Sequence, residues 1–381
     1  MLDQRVADLA RLKFHEYYQN NDVLIDQIEK REFGFGDFET KIRRRHMAFR
    51  NNDAFKRYLL LDVPPFISIS TAYYRNPDGR PMENKGWLGS ELVFDLDATD
   101  LNLNCQKEHG RNWICENCLS AIKNEALKTI EEFLIPDFGI SKNNIEINFS
   151  GNRGYHIHVK DRDFFSLNSN ARKQISDYLN GKDLDIRVLF PTIGERLKAL
   201  KGPTPTDGGW GGRIARTTIS AINGGNEQLV KLGIDGKTAR KLIKNKAEVI
   251  MGITTGNWDS INVPKKADFW GNIINTMTVS QTSAIDKNVT NSPEHLIRVA
   301  NTIHADTGLV AKKLKSISDL EKFDPMKDAI IFKNGRMRIN VSNANKLYMN
   351  DMEFGPYNNI VVEVPTYVAL YLMLKRCAVL A

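Results

Sequence analysis

An α+β fold interrupted by a helical insertion is what this sequence predicts, on three observations. The first is ELVFDLD at Glu91–Asp97, where Leu92, Phe94 and Leu96 alternate with Glu91, Val93, Asp95 and Asp97. That period of two belongs to a strand with one buried face. The second is a hairpin. Ile145–Ser150 alternates, Gly151-Asn152-Arg153-Gly154 turns, and Tyr155–Lys160 alternates back. The third is a change of character from Asp161 to about Ser283, where helical patterns and Pro/Gly loops replace strands. Residues 1–160 and 285–381 are therefore read as a core, and 161–284 as a mainly helical insertion.

The chain of 381 residues has room for two or three domains, or for one large domain with an insertion. It is 41% hydrophobic and 26% charged, as soluble globular proteins are. Its 53 Lys and Arg exceed its 46 Asp and Glu by seven charges, a balance compatible with a phosphate-rich partner. The N-terminal stretch carries polar residues throughout, and no apolar run reaches the length of a membrane span. A cytoplasmic protein with no membrane partner is expected. Four Cys, three of them clustered with a His, fit a reducing compartment and a metal site better than disulfides.

Taken in order, Val6–Tyr18 and Val23–Glu29 read as helices. REFGFGDF and the basic run Arg43-Arg44-Arg45-His46 follow, then the strand-like FISISTAYY. On the acidic strand, Asp95 and Asp97 lie two residues apart, so they share a side, roughly 6.5–7 Å apart at Cα. Neighbouring carboxylates repel unless a cation lies between them, and oxygen ligands suit Mg²⁺ or Mn²⁺. Cys105-x3-His109-x5-Cys115-x2-Cys118 comes next. Its thiolates and imidazole are the ligands zinc prefers, and four of them close a tetrahedron, which predicts structural Zn²⁺. Cys377, alone in an apolar segment, reads as a core residue.

Ala121–Leu134 reads as a helix. In the hairpin, Ile145, Ile147, Phe149, Tyr155, Ile157 and Val159 can bury one face, leaving Asn148, Ser150, His156, His158 and Lys160 on the other. A Gly-flanked turn lets backbone amides approach an anion, and Arg153 adds a forked donor, so this face suits a triphosphate. An exposed polar sheet face explains the same pattern. Within the insertion, Asn168–Leu179 is helical, Lys201–Gly212 is a loop that leaves Arg213 mobile, and Glu227–Ile250 carries two short basic helices. Further on, Asn291 and Glu294 look like a capping pair opening a short helix. Asp286, Arg298 and His304 cluster around it, with a turn at Thr307-Gly308. NNIVVEVPTYVALYLML offers an edge strand and an apolar helix.

REFGF, Arg45 with Phe49, LVFDLD, the Cys/His cluster, FSGNRGYHIHV, D-x2-VT, HLIR and IHADTG stand in one order along nearly the whole chain. In that order they resemble the small catalytic subunit of archaeal-eukaryotic primase. The resemblance implies a core in which an RRM-like sheet meets a partner sheet, with a zinc-binding motif at its side and an inserted helical subdomain. It implies that Asp95, Asp97 and Asp286 bind two catalytic Mg²⁺ or Mn²⁺ ions. Ser150, Arg153, His156, Arg298 and His304 would hold the phosphates of a nucleoside triphosphate, with Arg45 nearby. It also implies primer synthesis, in RNA or DNA, on a single-stranded DNA template, beside a large subunit that carries an iron-sulfur cluster. Three positions depart from the pattern. Asn152 stands where relatives often have a second basic residue, His158 where many have Trp, and Arg298 where others have Lys.

Other readings stay open on the residues alone. FDLDAT resembles the strand end of haloacid dehalogenase phosphatases, with Asp95 as nucleophile and Asp97 as acid-base. A zinc-bearing nucleic-acid-binding module would need no catalytic Asp. A repair polymerase of the same superfamily would extend ends without starting chains.

Overall fold

The computed structural model describes residues 1–182, 184–190, 200–260 and 266–381. Two compact units divide the chain. One comprises Met1–Leu127, Ile140–Lys173 and Ala284–Ala381, and the other Lys128–Gly139 and Gln174–Ser283. Residues 161–173, placed in the insertion by sequence, thus pack with the first unit, and 128–139 pack with the second.

The first unit holds two four-stranded antiparallel sheets. One runs Arg44–Met47, Phe33–Gly36, Phe66–Ser70, Leu296–Arg298. The other runs Lys313–Leu314, Ile145–Phe149, Gly154–Val159, Leu92–Asp97. The expected hairpin is thus Ile145–Phe149 with Gly154–Val159, and the acidic strand pairs with its second arm.

The strand expectations need one correction. Val93 and Glu91 share a side with Asp95 and Asp97, yet both are buried. Val93 joins the core built around Phe33, Phe35, Ile67, Ile69 and Ile297 of the first sheet. The polar side of the hairpin is covered as well, for Asn148, His156 and His158 are all at most 5% exposed. Only the end of the acidic strand, at Asp95 and Asp97, is partly open. Burial demands partners for covered polar groups; Glu91 and His158 Nδ1 have them, whereas Asn148 Oδ1, His156 Nδ1 and His158 Nε2 have none among the described residues. Glu91 accepts from Arg31 Nη1 at 2.8 Å and from Tyr73 Oη at 2.6 Å, and meets His158 Nδ1 at 2.7 Å. Burial pushes the Glu91 carboxyl up, but Arg31 and His158 outweigh it and hold it well below the usual range.

Helix Gln4–Asn20 starts where the Asp3 side chain accepts from the Arg5 and Val6 amides. It buries Val6, Ala10, Phe14 and Tyr18 along one face. The second expected helix, Val23–Glu29, is instead a bend with a 3₁₀ turn at Ile28–Lys30. Gln27 lies in the left-handed region, and the Ile25 amide donates to Asn52 Oδ1, so the helical ladder cannot form. The helix expected after Asn291 lies earlier, at Lys287–Asn291. Asp286 caps it, and HLIR continues as the strand Leu296–Arg298. At the C-terminal end, Arg336–Ala344 pairs with Tyr357–Pro365 and Ala378–Leu380. Helix Thr366–Leu374 has all nine residues buried. Cys377 is half-buried rather than core.

Among the described residues, the second unit is built mostly of helices, including Gly209–Asn223, Gly225–Lys231, Gly236–Lys244, Lys246–Thr254 and Lys266–Gln281. Its last residue returns to an earlier stretch of the unit: the Ser283 amide donates to the Leu179 carbonyl at 2.9 Å. Arg213, expected in a mobile loop, is buried on Gly209–Asn223. It pairs with Asp137 at 2.8 Å and lies 3.8 Å from the centroid of the Phe133 ring. Asp137→Ala would strand a buried guanidinium. The expected loss is about 3–5 kcal/mol, read as an earlier denaturant midpoint for this unit.

Candidate active site

A cavity of about 800 Å³ opens at the end of the acidic strand. It is lined by Arg45, Asp95, Asp97, Ser150, Arg153, His156, Arg298 and His304 among others. Antiparallel register brings several together, with His156 opposite Asp95 and Gly154 opposite Asp97. His156 Nε2 is 3.6 Å from Asp95 Oδ1. Asp286 joins through its backbone, whose amide donates to the Asp95 carbonyl at 2.8 Å. Its carboxylate caps the Asn288 amide.

The carboxylates feel one another. Asp95 is pushed up to about 7 by burial and then by the charges of Asp97, Asp286 and Asp100. Asp97 is better compensated. Arg153 Nε donates to both its oxygens at 2.8 and 3.0 Å, and the Thr99 amide and hydroxyl add two bonds. Crowded acids with one member driven toward protonation fit a site for divalent cations with oxygen ligands.

Across the cavity lie Ser150, Arg153, His156, Arg298 and His304. The Ser150 hydroxyl accepts from the Asn152 and Gly154 amides and so shapes the hairpin turn. Gly151 has φ +83°, and a Cβ there would stand 2.8 Å from His304 Cβ. His304 Nδ1 accepts from the Asp306 amide at 3.1 Å, which leaves the ring proton on Nε2. Burial, then Arg298 and Lys375, keep the His304 ring neutral by holding it well below its usual range. His156 is likewise lowered to about 3, chiefly by burial. Arg298 stacks over Phe66 at 4.9 Å, and its buried Nη1 has no partner. An orphaned guanidinium nitrogen beside a cavity fits an anionic ligand. Arg45 is held by Glu32 at 2.9 Å, which also meets Lys85 at 3.1 Å.

His158, although in the same motif, is bound to Glu91 and is not among the cavity-lining residues. Sequence reasoning passed over Lys41, Ser68, His295, Asp306 and Lys375, which do line it. His295 opens the HLIR motif, from which only Arg298 was singled out. Lys375 follows an apolar helix, where no motif signals a site.

The Cys/His cluster forms a second centre. Cys105 and His109 share the short helix Asn104–His109, and Cys118 lies in the first turn of Glu116–Lys128, just after Cys115. The four donor atoms lie within 4.8 Å of one another, with Cys105 and Cys118 sulfurs 3.5 Å apart. Tetrahedral Zn–S bonds of about 2.3 Å set sulfurs about 3.8 Å apart, so the spacing fits a zinc ion. His109 Nδ1 meets the Gly110 carbonyl at 2.8 Å, which leaves Nε2 for a metal.

A sequence profile described as DNA primase small subunit matches residues 94–316. DNA primase small subunit PriS of Methanothrix thermoacetophila is 32% identical, with 99% of each chain covered. The chain belongs to the DNA primase small subunit family. The Thermoplasma volcanium PriS is 32% identical over 98% of this chain and 97% of its own. That of Methanocaldococcus jannaschii is 31% identical over 96% and 95%. Family membership covers both sheets, the cavity and the Cys/His centre. It leaves the haloacid dehalogenase reading without support. No helix among the described residues is long and apolar enough to cross a membrane.

Proposed function

We propose that this chain is a primase catalytic subunit that joins nucleotides on a single-stranded DNA template. The observation that carries the reading is the single cavity in which Asp95 and Asp97, with Asp286 bonded to the acidic strand, face Arg153, Arg298 and His304. In the reaction, a 3′-hydroxyl attacks the α-phosphate in line and pyrophosphate leaves. Asp95, Asp97 and Asp286 would hold two Mg²⁺ or Mn²⁺ ions, which supply charge neutralisation to the attacking and leaving oxygens.

The chain's own groups do the rest. Arg153 spends its Nε on Asp97 and has its terminal nitrogens for a phosphate. Arg298 offers its unpartnered Nη1, and His304 donates from Nε2 without carrying charge. Ser150 and His156 complete the phosphate face, with Arg45 oriented by Glu32. Such preorganised donors stabilise the charge that builds on the triphosphate. Cys105, His109, Cys115 and Cys118 would bind structural Zn²⁺. The small-subunit names of the relatives support a large-subunit partner. The iron-sulfur cluster that the resemblance assigns to that partner would be bound there, since three of this chain's four Cys belong to the Cys/His centre.

The test is incubation with labelled nucleotides, Mg²⁺ or Mn²⁺ and unprimed single-stranded DNA, with and without added primer. Products in both arms are expected. Products only with primer would favour the repair polymerase, and none in either would end the reading. Gly151→Ala gives a local check. The positive φ costs about 1–2 kcal/mol for any other residue, and the new methyl displaces His304. KM for nucleotide should rise about tenfold, while an unchanged KM would remove His304 from the phosphate face.

A further inference from the structure

The C-terminal helix ends inside the cavity, where Leu374, Lys375 and Arg376 line its wall. Lys375 is held there firmly. The helix before it is wholly buried, and the chain reverses at Arg376, with φ +61°, into the strand Ala378–Leu380. Its ammonium donates to Asn152 Oδ1 at 3.1 Å and to the Asn112 carbonyl at 3.3 Å. Both acceptors are neutral. Among the described residues no carboxylate lies within ion-pair distance of it, although Asp306 and Asp97 act on it from farther away. A half-buried cation whose partners are both neutral gains from an anion that joins it. Asn152 is on the hairpin turn, between Ser150 and Arg153, so the free side of the ammonium faces the same space as the phosphate donors.

We propose that Lys375 is a further triphosphate ligand, binding a non-bridging oxygen of the terminal phosphates of the incoming nucleotide. The inference rests on the nucleotide-binding reading above, and it supplies from the far end of the chain a positive charge that the neutral Asn152 does not. Burial lowers the amine to about 8, and a bound phosphate would hold its proton more firmly. A purely structural lysine, tying the helix end to Asn112 and Asn152, would be indifferent to how many phosphates a nucleotide carries.

That difference sets the experiment. ATP and AMP are titrated against the full chain with Mg²⁺, for the unaltered protein, Lys375→Met and Lys375→Arg. Lys375→Met should weaken ATP about tenfold or more, the loss of one charge-assisted hydrogen bond, and leave AMP within twofold. Lys375→Arg should recover most of the loss. Equal losses for ATP and AMP, or none, would overturn the assignment. A second measurement needs no variant. ATP, and not AMP, should shield Lys375 of the unaltered chain from reductive methylation mapped by mass spectrometry, and modification at the same rate in ATP would also overturn it. Neither readout depends on primer synthesis. A chain that binds ATP through Lys375 but makes no primers would sink the functional reading alone.

Discussion

Asp95→Asn is expected to abolish primer synthesis while leaving the fold intact. The substitution keeps the shape of the side chain and removes a charge from the acidic cluster. Loss of one carboxylate from a divalent-cation site removes several kcal/mol of transition-state stabilisation, a fall of a thousandfold or more on the order of the usual conversion. The same change should not weaken the fold. Asp95 is repelled by Asp97, Asp286 and Asp100. Its carboxyl is pushed upward in the folded state, so its charge works against folding as pH rises through its ordinary range toward 7. In a chelator at pH 8 the Asn variant should therefore melt at or above the parent. A lower melting temperature would mean that Asp95 is a structural anchor, and retained synthesis would take it out of the metal site.

Cys115→Ser is expected to do the reverse. A structural zinc contributes folding free energy directly, and loss of one thiolate opens the tetrahedron. Several kcal/mol should disappear, lowering the melting temperature by about 10 °C for a unit of this size. Below that temperature, activity per folded molecule should stay within about threefold. The Cys/His centre is tied to distant segments through Trp113, whose Nε1 donates to the Lys346 carbonyl, and through Asn345, which donates to the His109 carbonyl. Destabilisation should therefore spread to the C-terminal sheet, visible as faster amide exchange in Arg336–Ala344. An unchanged melting temperature with lost catalysis would contradict the structural role.

The parts legible in sequence were those with a short-range signature. The acidic strand and the hairpin announced themselves by alternation, and the Cys/His centre by ligand spacing. What sequence misjudged depends on distant partners. The polar side of Glu91–Asp97 reads as open to solvent until the first sheet covers Val93 and Arg31 reaches Glu91. His158 reads as a phosphate-facing group until its ring is found on Glu91. Val23–Glu29 has helical composition, but Asn52 captures the Ile25 amide across the fold. Arg213 sits in a Gly-rich stretch that gave no sign of Asp137. Lys375 reaches the cavity only because a buried helix, unremarkable in pattern, happens to end there.

Within the second unit the long segment Gln174–Ser283 closes on itself, through the bond from the Ser283 amide to the Leu179 carbonyl. Without that clasp, the ordering entropy of a long excursion would oppose the return of Asp286 to Asp95. The long segment of the second unit can therefore be regarded as a closed buckle. A short span bridging the same two points should serve only if it also covers Ile130, Phe133 and Leu134, which are buried in a segment that packs with the second unit.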